Sequence, residues 1–164
     1  MSFEARAEVA PIKQASKVLP INSIGEILVG VRSRRDDKRP GQLDFIGGGQ
    51  EPTDEGCSLK TAVRELREEI GLRKRSEEMY YINEDMSPSG NTLVSLYWTV
   101  VPNGFIPRVQ SSELEKVVAL PPADVLRGLL HVGQIAMLEH FLEVSRPVEQ
   151  FDFSEELALQ SFIH

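Results

Sequence analysis

Residues 47–72 read GGGQEPTDEGCSLKTAVRELREEIGL, a glycine triplet followed by a short acidic loop and then by an amphipathic segment. Four apolar residues of this segment recur at helical spacing: Leu59, Val63, Leu66 and Ile70. Their spacing predicts a helix with one face turned towards a core. Ser58 is suited to cap the start of this helix, and Gly71 is suited to end it in the left-handed conformation.

The same helix carries Glu65, Glu68 and Glu69, which lie three or four residues apart and are therefore neighbours on its surface. Like charges at this spacing repel each other by a few tenths of a kcal/mol, roughly, and a divalent cation would turn that repulsion into attraction. Acidic residues on a helix are also typical of an ordinary solvated face. The glycine triplet is expected to form a loop before the helix, where the backbone could approach a ligand closely because no Cβ intrudes.

The stretch resembles the Nudix box, in which Gly, five residues, Glu and seven residues precede Arg-Glu-apolar-any-Glu-Glu-any-Gly-apolar. Residues 64–72 match the second half without a gap. The first half is longer than the pattern. Counting from Gly49 places Glu55 at the acidic position with eight residues before Arg64, and counting from Gly48 places Asp54 there with nine. The box at residues 48–72 therefore carries an insertion of one or two residues, and both acidic residues remain candidates.

This resemblance implies an α/β fold, in which a mixed β-sheet lies between helices in an α/β/α sandwich. It also implies a Mg²⁺-dependent hydrolase, with Mn²⁺ as a substitute, that cleaves a phosphoanhydride bond. The substrate would be a nucleoside diphosphate linked to another moiety, such as an NTP, a nucleotide sugar or an ADP-ribose-like molecule. The alternative is a catalytically silent Nudix-like domain that binds a nucleotide or a protein partner.

The resemblance also assigns roles to particular residues. The metal ligands would be Glu65, Glu68 and Glu69, and the substrate-binding backbone would be Gly47, Gly48 and Gly49. Arg64 would orient the loop or a carboxylate, since its planar fork suits bidentate pairing. The general base is open between a glutamate of the box helix, Glu65 or Glu69, and a loop glutamate, Glu113 or Glu115. The basic residues of the charged stretch at 32–41, among them Arg32 and Arg34, would either contact phosphates or be solvated.

The whole chain sets further limits. It has 164 residues, a net charge of −7 and a pI of about 5.0, which predicts one domain over residues 1–164 without a basic face for broad nucleic-acid binding. A small nucleotide-type substrate reached through a cation suits this acidity. Cys57 is the only cysteine, which excludes an intramolecular disulfide and a multi-cysteine zinc site. We expect a cytoplasmic monomer or homodimer, because the sequence shows no leader and no membrane span.

Hydrophobic patterns outside the box predict a mixed α/β organisation. The expected strands are residues 17–21, 27–31, 79–82, 91–101 and 116–120, with a loop of turn-forming residues at 83–90. The expected helices are residues 123–130, opened by Pro121 and Pro122, and residues 132–144. Residues 147–164 are expected to form a loosely docked tail with one short helix from Ser154.

Overall fold

A computed structural model of the chain describes residues 10–129 and 131–145. Within these residues, seven strands and three α-helices follow in the order β1 (Lys13–Ile21), β2 (Ile27–Arg32), β3 (Leu43–Asp44), β4 (Ile46–Gly49), α1 (Ser58–Ile70), β5 (Tyr80–Met86), β6 (Thr92–Val100), β7 (Leu114–Leu120), α2 (Pro122–Gly128) and α3 (Val132–Ser145).

The strands form one mixed sheet around β1. The main path runs β3-β2-β1-β6-β5, while β4 also pairs with β1 and β7 also pairs with β2. Only the β1–β6 pair among the described strands is parallel, with Lys13 opposite Thr92 and Ile21 opposite Val100. Strand β1 therefore lies in the middle of the sheet, and its side chains project towards the helices on both faces.

Two hydrophobic cores, one on each face of the sheet, make this a sandwich. The first packs α1 against the sheet through Leu66 and Ile70, which meet Val18 of β1. The second packs α2 and α3 on the opposite face through Val125 and Leu138. The predicted α/β/α arrangement with a mixed sheet is confirmed.

The box helix matches its predicted apolar stripe. Leu66 and Ile70 are fully buried, and Leu59 and Val63 pack against the same core. Gly71 ends the helix with φ of 75°, as predicted for a left-handed stop. The predicted cap was wrong, because Cys57 occupies the N-cap position and forms no side-chain capping bond. Ser58 is the first helical residue, and its hydroxyl instead bonds the Tyr97 hydroxyl at 2.7 Å.

Three strands extend more than one residue beyond their predicted bounds, and one of them is β7, which begins at Leu114 instead of residue 116. Strand β1 begins four residues before the expected position 17, because it continues its parallel pairing with β6. Strand β5 runs on to Met86, where a loop was expected from residue 83. It lies at the end of the sheet path, so polar residues such as Glu84 and Asp85 remain in water while their backbone pairs with β6.

The glycine triplet was expected in a loop, and this was also wrong. Gly47, Gly48 and Gly49 belong to β4, which pairs antiparallel with residues 15–18 of β1. A side chain at Gly47 is excluded, since its Cβ would lie 2.1 Å from the Ser16 carbonyl oxygen and the residue has φ of 138°. The triplet forms a strand because its backbone finds a partner that local sequence does not reveal.

The carboxy-terminal helices follow the prediction, with α2 ending at Gly128 and α3 at Ser145. The expected tail at residues 147–164, with its helix from Ser154, lies outside the described residues. In residues 10–129 and 131–145, no helix has the length and apolar character that crossing a membrane requires.

Candidate active site

Helix α1 presents its glutamates to β4 in three different environments. Glu69 is 7% exposed, and its Oε2 accepts a hydrogen bond of 2.8 Å from the Gly47 N–H. The side chain of Glu65 is 12% exposed and reaches towards Gly48. Glu68 is about half exposed at the outer side. The helix therefore buries two carboxylates against the glycine strand and leaves the third in water.

Burial changes the protonation of the two inner carboxylates. It raises the pKa of Glu69 to about 7, although the Gly47 N–H and the charge of Lys17 act in the opposite direction. Burial also raises the pKa of Glu65, against the opposing effect of Arg64. Both groups are therefore costly to keep ionised without a positive partner, and a bound cation would relieve that cost.

Arg64 connects this face of the helix to the preceding loop. Its guanidinium donates to Asp54 Oδ1 and Oδ2 at 3.0 and 2.9 Å, and to the Gly49 carbonyl oxygen at 2.8 Å. It also donates to Glu65 and Glu68, each at 2.9 Å. The sequence placed Arg64 as a residue that orients the loop or a carboxylate, and its contacts in the structure are of that kind.

The structure distinguishes the two acidic loop residues. Asp54 is buried and accepts hydrogen bonds from Thr61 Oγ1 and the Glu51 N–H, both at 2.9 Å. The Arg64 hydrogen bonds lower the pKa of Asp54 to about 2, so it is ionised at neutral pH. Glu55 instead has φ of 52° and pairs with Lys60 in solvent at 3.1 Å. A short 3₁₀ turn at Pro52–Asp54, followed by Glu55 and Gly56 at positive φ, accommodates the longer loop.

The three glycines differ in what surrounds them. A Cβ at Gly48 would lie 2.6 Å from Glu65 Oε1, so this position must stay bare for the carboxylate to occupy its place. A Cβ at Gly49 would meet nothing within 4 Å. Protein atoms therefore pack closely on Gly47 and Gly48, while Gly49 contributes its carbonyl oxygen to Arg64. The predicted approach of the triplet to a metal or phosphates stays a prediction.

A buried lysine behind the glycine strand was missed by the sequence analysis. Lys17 Nζ donates to the carbonyl oxygens of Phe45 and Gly47, each at 3.1 Å, and to Asp44 at 3.2 Å. Asp44 is 2% exposed and also accepts hydrogen bonds from Arg32 and from Gln134 of α3. The available signal was strand alternation, which places Lys17 on the same face of β1 as Leu19 and Ile21 and therefore towards a core.

Arg32 belongs to this buried network and is not a solvated loop residue. Its side chain is 12% exposed and pairs with Asp36 and Asp44. Arg34, in contrast, is 87% exposed, as expected for a solvated charge.

The two glutamates that were candidates for a loop base are exposed, and Glu115 belongs to β7 and not to the loop before it. Glu113 lies 3.8 Å from Arg32, and Glu115 lies 3.9 Å from Arg34. Both ion pairs lead to β2 and the loop after it, and neither involves α1. The structure thus brings Arg64, Glu65, Glu68 and Glu69 together with the glycine strand, and places Glu113 and Glu115 in a separate charged region.

The donor chemistry around β4 fits a hard divalent cation, which prefers oxygen ligands. Gly48 provides the bare position that Glu65 needs, and two of the three carboxylates are desolvated. Across residues 10–129 and 131–145, however, no three acidic, histidine or cysteine side chains already converge on one point. Glu65 and Glu68 each direct one oxygen at Arg64, so a shared cation would compete with Arg64 or use their other oxygens.

Comparison with known proteins places this geometry in a family context. The family model of the NUDIX domain matches residues 12–141. The human mitochondrial coenzyme A diphosphatase NUDT8 is 30% identical over 128 residues, which cover 75% of this chain and 54% of the relative. The chain therefore spans about half the length of that protein. The uncharacterized Nudix hydrolase NudL of Photorhabdus laumondii is 26% identical over 140 residues, which cover 84% of this chain and 70% of NudL.

Solved structures agree on the fold. The crystal structure of a MutT protein from Methanosarcina mazei superposes with a TM-score of 0.69 at 18% identity. The match covers 85% of this chain and 99% of that protein. At this identity, the likeness supports the fold and says nothing about the substrate.

Proposed function

The chain belongs to the Nudix hydrolase family, and we propose that it uses a divalent cation to hydrolyse a phosphoanhydride bond in a small substrate that carries a nucleoside diphosphate. The observation that supports this most directly is the position of Glu69, which is buried, and of Glu65, which is partly buried, against Gly47 and Gly48. Buried carboxylates without a compensating cation are costly, and a helix that only needed a polar surface would leave them in water.

The proposed mechanism divides the work among the described residues. Glu65, Glu68 and Glu69 would hold Mg²⁺, or Mn²⁺ in its place. The cation would neutralise charge on the phosphates and activate a water for attack at phosphorus. Arg64 keeps Glu65 and Glu68 on one side of the helix and ties them to the loop through Asp54. The absence of a side chain at Gly48 leaves the space beside β4 that the Glu65 carboxylate occupies.

The proton of the attacking water needs an acceptor, for which two positions are available. One is a buried glutamate of α1, Glu65 or Glu69, which already lies at the site. The other is Glu113 or Glu115, whose exposed side chains would have to leave Arg32 or Arg34 and turn towards α1. The α1 position requires no rearrangement of the loop before β7, and we favour it for that reason.

For the substrate, we propose coenzyme A or a related nucleoside diphosphate derivative. The support is the relative at 30% identity that is named a coenzyme A diphosphatase. Coenzyme A joins an adenosine nucleotide to a pantetheine arm through a pyrophosphate, so it contains the proposed scissile bond. NTPs, nucleotide sugars and ADP-ribose share this bond and belong in the same screen.

The test is a hydrolysis screen with purified protein, Mg²⁺ or Mn²⁺, and each of these compounds, with chromatography to identify the products. We expect cleavage at the pyrophosphate, abolished by EDTA and reduced at least about 100-fold in Glu68→Gln, since transition-state charge would lose its cation. Glu77→Gln, an exposed glutamate outside the site, is the matched control and should retain full activity. Absence of turnover for all substrates with both metals would contradict the proposal.

One observation favours a binding-only function as a second candidate. Arg64 lies 2.9 Å from both Glu65 and Glu68, so these two carboxylates have a positive partner in the protein itself. A domain of this kind would bind a nucleotide in the presence of EDTA as tightly as with Mg²⁺, and would release no product. Calorimetry of ADP binding with and without Mg²⁺, run beside the screen, distinguishes the two functions.

A further inference from the structure

A cavity of about 530 Å³ opens at the carboxy-terminal end of α1, beside the loop that joins β6 to β7. Its walls include Arg67, Arg73, Arg108 and Gln110, together with Phe105 and Ile106. None of the three α1 glutamates lines it. The cavity is therefore a different surface from the carboxylate site at β4.

Backbone hydrogen bonds build the walls and fix their spacing. The Arg108 N–H donates to the Ile70 carbonyl oxygen at 3.0 Å, and the Gln110 N–H donates to that of Glu69 at 3.1 Å. Gly71 and Leu72 donate to the carbonyl oxygens of the preceding turn. The last turn of α1 thus has backbone donors for its carbonyl groups, and the arginine side chains are not required to satisfy them.

The arginines of the cavity have little negative charge around them. Arg67 has one ion pair, with Glu68 at 4.0 Å. Arg73 and Arg108 form none within residues 10–129 and 131–145, although the chain as a whole carries a net charge of −7. Three arginines line one opening, so an anion bound there would meet several positive charges, and the planar forks of the guanidinium groups match the oxygens of phosphate.

The apolar residues of the cavity wall favour a ligand that also carries an apolar or planar group. Phe105 is partly buried and packs on the α1 core, while Ile106 is 78% exposed beside it. An exposed isoleucine next to a phenylalanine offers a surface for a planar or apolar group. A ligand that fits both parts carries phosphate at one end and a ring system at the other, as a nucleotide does.

We propose that this cavity is a second ligand site, which binds the phosphate groups of a nucleotide through Arg73 and Arg108 and its ring against Phe105 and Ile106. The site needs no metal, because the guanidinium groups supply the positive charge. It does not depend on the proposed hydrolysis, and its binding can be measured in protein that turns nothing over.

The test uses ADP as the probe in the presence of EDTA, with binding measured by titration of backbone amide signals in NMR spectra. We expect the amides of Gly71, Gly104 and Gln110 to shift with a common dissociation constant. In the double variant Arg73→Gln/Arg108→Gln, binding should weaken at least about tenfold, equivalent to about 1.4 kcal/mol.

The matched control is Arg34→Gln/Arg75→Gln, which removes the same charge from exposed positions elsewhere. Its dissociation constant should stay within about twofold of the wild type. Equal weakening in both double variants would show a non-specific charge effect and overturn the proposal. Shifts confined to Gly47 and Gly48, or no saturable shift at Gly71 and Gly104, would overturn it as well.

Discussion

Lys17 and Glu69 form hydrogen bonds with the two backbone groups of the same residue, Gly47. The Glu69 carboxylate accepts the Gly47 N–H at 2.8 Å, and the Lys17 ammonium donates to the Gly47 carbonyl oxygen at 3.1 Å. A lysine of the central strand and a glutamate of the box helix therefore fix the glycine strand from opposite faces of the sheet. The position of β4 relative to α1 therefore depends on the hydrogen bonds that Lys17 and Glu69 form with Gly47.

The first prediction concerns Lys17. Lys17→Met removes three hydrogen bonds and leaves Asp44 in the core with less positive charge. We expect the free energy of unfolding to fall by about 3 kcal/mol, since breaking a buried ion pair from one side has a cost of this size. Urea denaturation followed by circular dichroism measures it. Lys13→Met, at an exposed position of the same strand, should change stability by less than about 0.5 kcal/mol.

The second prediction compares two neighbouring glycines. Gly48→Ala places a Cβ 2.6 Å from Glu65 Oε1 and must push that carboxylate aside, whereas Gly49→Ala meets nothing within 4 Å. We expect Gly48→Ala to lower kcat/KM at least about tenfold, because small displacements of a catalytic group are costly. Gly49→Ala should remain within about twofold of the wild type. Steady-state kinetics on the substrate found in the screen measures both, and equal rates would show that Glu65 has no role at this position.

The third prediction concerns the general base. If a glutamate of α1 accepts the proton, Glu113→Gln and Glu115→Gln should each retain kcat within about threefold, since removal of a general base costs at least about 100-fold. The measurement is kcat at saturating substrate and metal. A loss of tenfold or more in either variant would assign the base to that glutamate.

The fourth prediction is a pH dependence of stability that arises from Asp44. Burial alone would raise the pKa of this carboxyl, but the charge of Lys17 and the hydrogen bonds from Gln134 and Arg32 lower it to about 2. A folded-state pKa below the unfolded value means that the stabilisation is present above about pH 4 and is lost as the pH falls through about 2. The loss amounts to about 2 kcal/mol.

Urea unfolding at a series of acidic pH values measures this loss. The decrease in stability between pH 4 and pH 2 should be smaller by about that amount in Asp44→Asn. In Asp37→Asn, an exposed carboxylate, it should match the wild type. Identical pH profiles in all three proteins would show that Asp44 is not held ionised by its partners.

Features that depend on local pattern could be predicted from the sequence. The spacing of Leu66 and Ile70 predicted the buried face of α1, and Gly71 predicted where the helix ends. Both predictions succeed because helical periodicity and the left-handed conformation of glycine are local properties. The grouping of the three glutamates followed from their spacing on one helix, whereas the role of Arg64 came from the resemblance to the Nudix box.

Features that depend on distant partners could not be predicted. Strand alternation places Lys17 on the face of Leu19, but the partners of its ammonium, Asp44 and the backbone before the glycine triplet, come from distant parts of the chain. The choice between Asp54 and Glu55 could not be made because each satisfied one alignment of the box. In the structure the two residues differ in environment, since Asp54 is buried beside the Thr61 hydroxyl and Glu55 is exposed. The glycine triplet became a strand because β1 supplies its hydrogen bonds.

The central claim is that the carboxylates of α1 capture a divalent cation beside the glycine strand. The most direct measurement is an anomalous difference map from a crystal of this protein soaked in Mn²⁺. We expect a peak coordinated by oxygens of Glu65, Glu68 and Glu69, about 2 Å from each. Arg64 should keep its hydrogen bonds to Asp54. Absence of any peak there, with Glu65 and Glu68 still paired to Arg64, would contradict it.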